Sequence, residues 1–449
     1  MSVRSEGVVN DRREITGWMM YDWANSAFST TVVTALLGPY IQALAEASTE
    51  PIRLFGTVIE PGAIYPAAVS LSVVLQVFFL PLLGTIADHT ALKKRMLLTF
   101  AYIGAFATIL LYFIKADMPL IGTSGAVAAG SLLFIIANLS FGAAIVFYNS
   151  FLPQIATPDR RDEVSSKGWA LGYLGGGLLL LLNLALLVVM EDTTLAVRIS
   201  LASAGVWWLV FTYLFPQRRL IQRAPTQQHP GVNLFKHGVR QVLHTFGELV
   251  REYPMTLRYL IAYLIYNDGI QTVIVVAAAF AVSDLGVEAQ TVLILVLMIQ
   301  FMAFGGALLF GAVAKRLGAK KSIMISLVIW SAIVIYAYVF LNNTVQLFVM
   351  GAVLALVLGG SQALSRSLFS QMIPPEQEAE YFGFYEISER GTSWLGTAAF
   401  AVAVQLTGSQ RVAIISLIIF FIVGLLLLSQ VDVRRAIVES GNDPEGVVL

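Results

Sequence analysis

Asp268 stands in the middle of a long apolar run, beside Asn267 and Gly269, with Gln271 and Thr272 one turn further along. A carboxylate at that depth in hydrocarbon demands a partner or a water-filled path, because an unpaired charge there is costly. It could bind an ammonium group or carry a proton; it could also bond to a neighbouring helix and serve packing alone. A second acid, Asp22, has Asn25 one turn deeper on about the same helical face, with Ser26 adjacent. Such a polar stripe suits the wall of a cavity. The alternative for Asp22 is an anchor at headgroup level, flanked by the rings of Trp18 and Trp23.

A third group is charged on both sides. Glu386, Glu389 and Arg390 open one apolar run, and Glu386 and Arg390 are four apart, so they share a helix face and can pair. Arg366 lies near the inner end of the preceding run. These residues are expected near the cytoplasmic surface, level with Asp88, Lys93 and Lys94, as a charge network that latches two halves of a moving protein. A static salt-bridge cluster at wet helix ends would use the same residues and contribute little. Asn138, Asn149, Asn183, Gln300 and Gln362, with Tyr148, Tyr263 and Tyr266, are further polar or aromatic groups inside apolar runs. Cross-helix hydrogen bonds and packing account for most such groups.

Other chemistries lack their parts. With no cysteine, the chain has no disulfide, thiolate ligand or cysteine nucleophile. Its four histidines are His89, His229, His237 and His244, and none has metal-ligand spacing or a neighbouring nucleophile. No phosphate-cradling Gly-x-x-x-x-Gly-Lys-Ser/Thr occurs, so movement of a solute would run on a gradient. Neither an enzyme nor a cofactor is expected. Lys plus Arg equals Asp plus Glu at 28 each, which argues against nucleic acid as a partner.

What must position these residues is a set of membrane helices. Apolar residues make up 57% of the 449, charged residues only 12%, and mean hydropathy is +0.77. Twelve stretches are long enough to span a bilayer: 18–43, 64–87, 96–114, 126–150, 168–190, 197–215, 256–282, 290–313, 322–341, 345–372, 382–406 and 411–430. A polar interval at 216–255 divides them six and six. The expected organisation is a cytoplasmic tail (1–17), a six-helix bundle (18–215), a cytoplasmic linker (216–255), a second six-helix bundle (256–430) and a cytoplasmic tail (431–449). In the linker, Leu234 to Glu252 carries apolar residues at helical spacing and is expected to form an interfacial helix. With the N-terminus inside, only Arg53, Lys115, Arg198 and Arg411 fall on outer connections, as the positive-inside rule requires.

One loop occurs twice, about half a chain apart. The first copy is Gly84-Thr-Ile-Ala-Asp88-His89-Thr-Ala-Leu-Lys93-Lys94-Arg95, and the second is Gly311-Ala-Val-Ala-Lys315-Arg316-Leu-Gly318-Ala-Lys320-Lys321. Each is a tight basic connection between two apolar runs, so the chain reads as two related bundles with a path between them.

The first copy resembles the loop between helices two and three of the major facilitator superfamily, with His89 and Ala91 departing from its pattern. Within that superfamily, Tyr21-Asp22-Trp23-Ala24-Asn25-Ser26-Ala27-Phe28 is similar to the opening block of the vacuolar amino-acid effluxer family and its bacterial relatives. Tyr266-Asn267-Asp268-Gly269-Ile270-Gln271-Thr272 and Gly172-Tyr173-Leu174-Gly175-Gly176-Gly177 resemble further blocks of that family. The resemblance implies an all-α membrane protein of twelve helices, acting as a secondary transporter of a small polar solute by alternating access. Amino acids are the eukaryotic precedent, and export, with a coupling proton, is the expected mode. On this reading Asp268, Asn267, Gln271, Asn25, Asp22 and Ser26 bind or couple, and Asp88, Lys93, Lys94, Arg366, Glu386, Glu389 and Arg390 gate. The chain is expected to act as a monomer in the plasma membrane. An exporter of lipophilic compounds, or a scaffold that keeps the fold without transport, are the rivals.

Overall fold

In hydrocarbon every backbone N–H and C=O must be satisfied within the segment, so apolar runs of this length become helices. The computed structural model describes residues 8–49, 51–54, 57–223, 234–390 and 394–449. Its first bundle comprises α1 (Arg12–Glu46), α2 (Pro61–Asp88), α3 (Lys93–Phe113), α4 (Gly122–Ile155), α5 (Pro158–Val189) and α6 (Thr193–Arg219). Helix α7 (Leu234–Arg251) occupies the interval between the bundles. The second bundle comprises α8 (Pro254–Val282), α9 (Gln290–Leu317), α10 (Ala319–Val339) and α11 (Thr344–Gln371). It continues with α12 (Glu378–Arg390), α13 (Trp394–Thr407) and α14 (Gln410–Ser429). A short α15 (Val433–Glu439) follows.

Eleven of these helices are individually long and apolar enough to cross a membrane among the described residues. The remaining expected span is covered by α12 and α13, on either side of 391–393, which lie outside the described residues. Strands β1 (Arg53–Leu54) and β2 (Thr57–Val58) pair antiparallel in the connection between α1 and α2.

Several expected boundaries move. Helix α1 begins at Arg12, six residues before the expected span, because Asp11 accepts the backbone N–H of Arg13 and caps it. Within α1, Phe28–Leu36 is π-helical, a distortion common at functional sites. Helix α12 begins at Glu378 rather than near 382, which moves Glu378 and Glu380 from a loop into a first helical turn. The C-terminal segment is not a free tail, since Asn442 donates to the carbonyls of Gln371 and Ile373 at 3.2 and 2.7 Å. On α7, Thr245 and Leu249 are buried against the body while Leu243 and Phe246 are exposed.

The bundles meet along two equivalent seams. Helix α2 packs on α12, and α5 packs on α9 and α11. Small residues make this possible. A Cβ on Gly84 would stand 2.3 Å from the carbonyl oxygen of Ala379, and one on Gly176 would stand 2.5 Å from Thr30 Oγ1 and 3.2 Å from Gln300 Nε2. Gly84 cannot take a side chain while its seam stays closed, and at Gly176 a side chain would meet α1 of its own bundle as well as Gln300 across the seam.

Candidate functional site

The charged residues expected at one level occupy two layers. The outer layer lies at the end of the molecule that carries both termini. Asp88, the last residue of α2, accepts the backbone N–H groups of Ala379 and Glu380 at 3.2 and 2.8 Å. It therefore caps α12 from across the bundle interface, where a negative charge meets the positive end of the helix dipole. Lys93 Nζ lies 3.0 Å from Asp88 and 3.2 Å from Glu378. Gln154 donates to the same Glu378 oxygen at 3.1 Å. Beside them, Arg161 crosses from α5 to the Ser370 carbonyl at 2.8 Å and Gln371 at 3.0 Å.

Lys94 makes no ion pair in this layer among the described residues. Its backbone N–H donates to Gln222 at 2.8 Å, and its neighbour Lys93 makes the bridge.

The inner layer centres on Arg366, and helix geometry explains its depth. Glu386 is eight residues into α12, about 12 Å along its axis, well beyond the level of Asp88. Arg366 Nη2 lies 3.1 Å from Asp22 Oδ2, and Tyr148 donates to that oxygen at 2.7 Å. Arg366 Nε donates to Ser165 Oγ at 2.9 Å and Nη2 to the Ser165 carbonyl at 3.0 Å. Its guanidinium also lies over the rings of Trp18, Tyr148 and Trp169, 4.7 to 5.4 Å from their centroids. Asn149 accepts from Arg366 at 3.4 Å and donates to Glu386 at 3.0 Å. Glu386 in turn pairs with Arg390 at 2.9 Å, whose guanidinium lies over Phe141 at 4.8 Å.

The structure thus brings Asp22, expected as a cavity group, together with Arg366, expected as a gate group. Asp22 is not a headgroup anchor: it is 6% exposed and Arg366 is 2% exposed. The chain Asp22–Arg366–Asn149–Glu386 alternates between the bundles, and Arg390 extends it within α12. Glu389 is half-buried on the same helix, and its carbonyl accepts from Asn267 at 2.8 Å.

Further along the interface, Ser165 donates to the Ala363 carbonyl at 2.7 Å, Tyr173 bonds Gln362, and Gln300 bonds Thr30. These bundle-to-bundle bonds run from the terminus-bearing end to the helix middles. Asn25 is buried nearby, with no partner for Nδ2 among the described residues. Ser26 lies against Gly172, where a Cβ would stand 2.7 Å from its Oγ.

Asp268 sits elsewhere. It is 1% exposed, and its Oδ2 accepts the backbone N–H of Gly396 at 2.6 Å. Both Asp268 and Asn267 bond α13 or α12 inside their own bundle, and Gln271 is half-buried one turn on. Sequence reasoning did not single out Gln154, Arg161, Ser165, Trp169 and Glu378. Only Arg161 and Glu378 carried a signal, each charged and just downstream of prolines that precede helix starts (Pro158; Pro374 and Pro375).

Comparisons with known proteins agree with this architecture. The model of the "Vacuole effluxer Atg22 like" family matches residues 10–441. An uncharacterized MFS-type transporter, YxiO of Bacillus subtilis, is 30% identical over 427 residues, covering 93% of this chain and 94% of its own. Autophagy-related protein 22 of Pyricularia oryzae is 24% identical, covering 95% of this chain and 77% of its own. Among solved structures, the major facilitator FucP in its outward conformation aligns with a TM-score of 0.65 at 12% identity, covering 92% of this chain and 97% of that one. The human organic anion transporter MFSD10 aligns at 0.63 and 15% identity, covering 93% and 99%. At such identities the structures speak for the fold alone. With two six-helix bundles, a charged inter-bundle interface and a family model spanning nearly its whole length, the chain belongs to the Atg22-like vacuole effluxer family and is a multi-pass, MFS-type transporter rather than an enzyme.

Proposed function

We propose that this transporter exports a small polar solute of amino-acid type from the cytoplasm by alternating access, from the plasma membrane, with both termini inside. The structure then represents its cytoplasm-closed state. The observation that carries this reading is the buried bridge from Arg366 to Asp22, continued through Asn149 to Glu386. Each of its links joins groups from opposite bundles, so opening the cytoplasmic end must break it. A buried pair deprived of one partner costs about 3–5 kcal/mol. A carrier needs closed and open states of similar free energy, so a cation or proton must replace the guanidinium at Asp22 when the halves part. A cargo that offers an ammonium group and a carboxylate supplies partners for both Asp22 and Arg366. The basic connections on the terminus-bearing side support the orientation. The family's description as vacuole effluxers supports solute movement across a membrane.

The test is movement of a radiolabelled amino-acid panel in proteoliposomes, with and without a proton gradient, for wild type, Asp22→Asn and Asp268→Asn. One amino-acid class should move in the wild type, with rates at least tenfold lower in Asp22→Asn. Movement of lipophilic cations instead would favour an exporter of toxic compounds. No movement of any solute, with normal growth of cells carrying Asp268→Asn, would favour a scaffold.

A further inference from the structure

Among the buried acids of the helices, Asp268, in the middle of α8, and Glu380, in the first turn of α12, lack a basic partner among the described residues. Asp22, Asp88 and Glu386 each hold a basic partner within 3.1 Å. Asp268 has none among the described residues; its one described hydrogen bond is the Gly396 N–H at Oδ2. Among the described residues its other oxygen, Oδ1, is buried without a partner, and so is Thr272 Oγ1. Thr272 is one turn from Asp268 on the same face of α8, and both converge on Gly396 of α13. A Cβ built on Gly396 would stand 2.2 Å from Thr272 Oγ1 and 3.2 Å from Asp268 Oδ2. The missing side chain leaves that space to the two oxygens.

Both free atoms, Asp268 Oδ1 and Thr272 Oγ1, are oxygens. A cation seated at them would supply the charge that Arg366, Lys93 and Arg390 supply to Asp22, Asp88 and Glu386. A compact hard cation is held by several oxygens at once. One carboxylate gives the cluster a single negative charge, so a monovalent ion leaves it neutral, while a divalent ion would bury an extra charge in hydrocarbon.

We propose that Asp268 and Thr272, around Gly396, form a binding site for a monovalent alkali cation, with sodium as the ion taken. The inference deepens the transport reading above, as the site of its coupling ion, and rests on it for that role. Binding itself does not depend on knowing the cargo.

The measurement is the thermal midpoint of the purified full-length protein, with NaCl replacing choline chloride at constant ionic strength, and LiCl and KCl as parallel series. Sodium should raise Tm saturably, by about 2 °C at ten times its Kd, and more than potassium does. Thr272→Val, nearly the same shape, and Asp268→Asn should abolish the rise, while Thr272→Ser should keep it. An equal rise in every salt, or a sodium response that survives both Asp268→Asn and Thr272→Val, would overturn the site. Stabilisation by lowered pH with no sodium response would overturn it in favour of a proton. Counterflow of cargo without sodium binding would sink this site and leave the transport reading standing. Sodium binding without counterflow of any solute would do the reverse.

Discussion

Arg366 is the residue on which the two bundles converge, and its surroundings explain why arginine stands there. A planar fork can meet Asp22, Ser165 and Asn149 together while its faces lie against Trp18, Tyr148 and Trp169. A lysine would supply the charge without the fork. Because the network is buried, its loss is costly, unlike that of a surface pair. Arg366→Met should therefore favour opening of the terminus-bearing end by about 3 kcal/mol, roughly a hundredfold in the closed-to-open ratio. The chain's lack of cysteine makes this readable. A cysteine at Ser166, 2% exposed and packed on Gly311, should react with maleimide about a hundred times faster in the Arg366→Met background. An unchanged rate would mean that the bridge is static packing. Sequence had marked Arg366 and Asp22 separately, as gate and cavity. Their pairing across 344 positions has no local signature, since neither residue's spacing refers to the other.

At the scale of elements, the repeated loops close the two seams by opposite charges. In the first copy the residue four after the glycine is Asp88, which can accept the N–H groups at the start of α12 directly. In the second it is Lys315, which cannot accept, and the start of α5 instead provides Glu163, 3.0 Å from Lys315. The two seams should differ in strength. The Asp88 cluster is buried, whereas Lys315 is 55% exposed at the side chain. Asp88→Ala should destabilise the closed end by about 2 kcal/mol, through loss of a cap and a dipole interaction. Lys315→Ala should cost no more than about 0.5 kcal/mol. The ratio of maleimide rates at Ser166→Cys in the two backgrounds checks this, and equal rates would contradict it. Gly84→Val should act more strongly than either, because α2 cannot stay against the Ala379 carbonyl with a branched side chain between them. The loops, the helix count and the helix α7 were legible from spacing and hydropathy. The layer to which each charge belongs was not, because the start of α12 is four residues earlier than its hydropathy indicates.

For the whole molecule, six and six helices with both chain ends on one side make a directional prediction. With the termini cytoplasmic, Lys115→Cys, exposed in the connection between α3 and α4, should be labelled by an impermeant maleimide in intact cells. Arg434→Cys, exposed near the other end, should be labelled only after permeabilisation. The reverse pattern would invert the orientation and with it the direction of export. Sequence alone determined that this is a membrane protein of two related bundles, since hydrophobic length, the charge bias of connections and a repeated loop are local properties written along the chain. It also determined which buried polar residues demand an explanation, because the cost of a charge in hydrocarbon depends on position in a helix and not on neighbours. Which of them explain each other was decided only by the tertiary structure. Asp22 finds Arg366, Asp88 finds the start of α12, and Asp268 finds the backbone of Gly396, because helix rotation and crossing, set by the packing of glycines and aromatic rings, choose the partners.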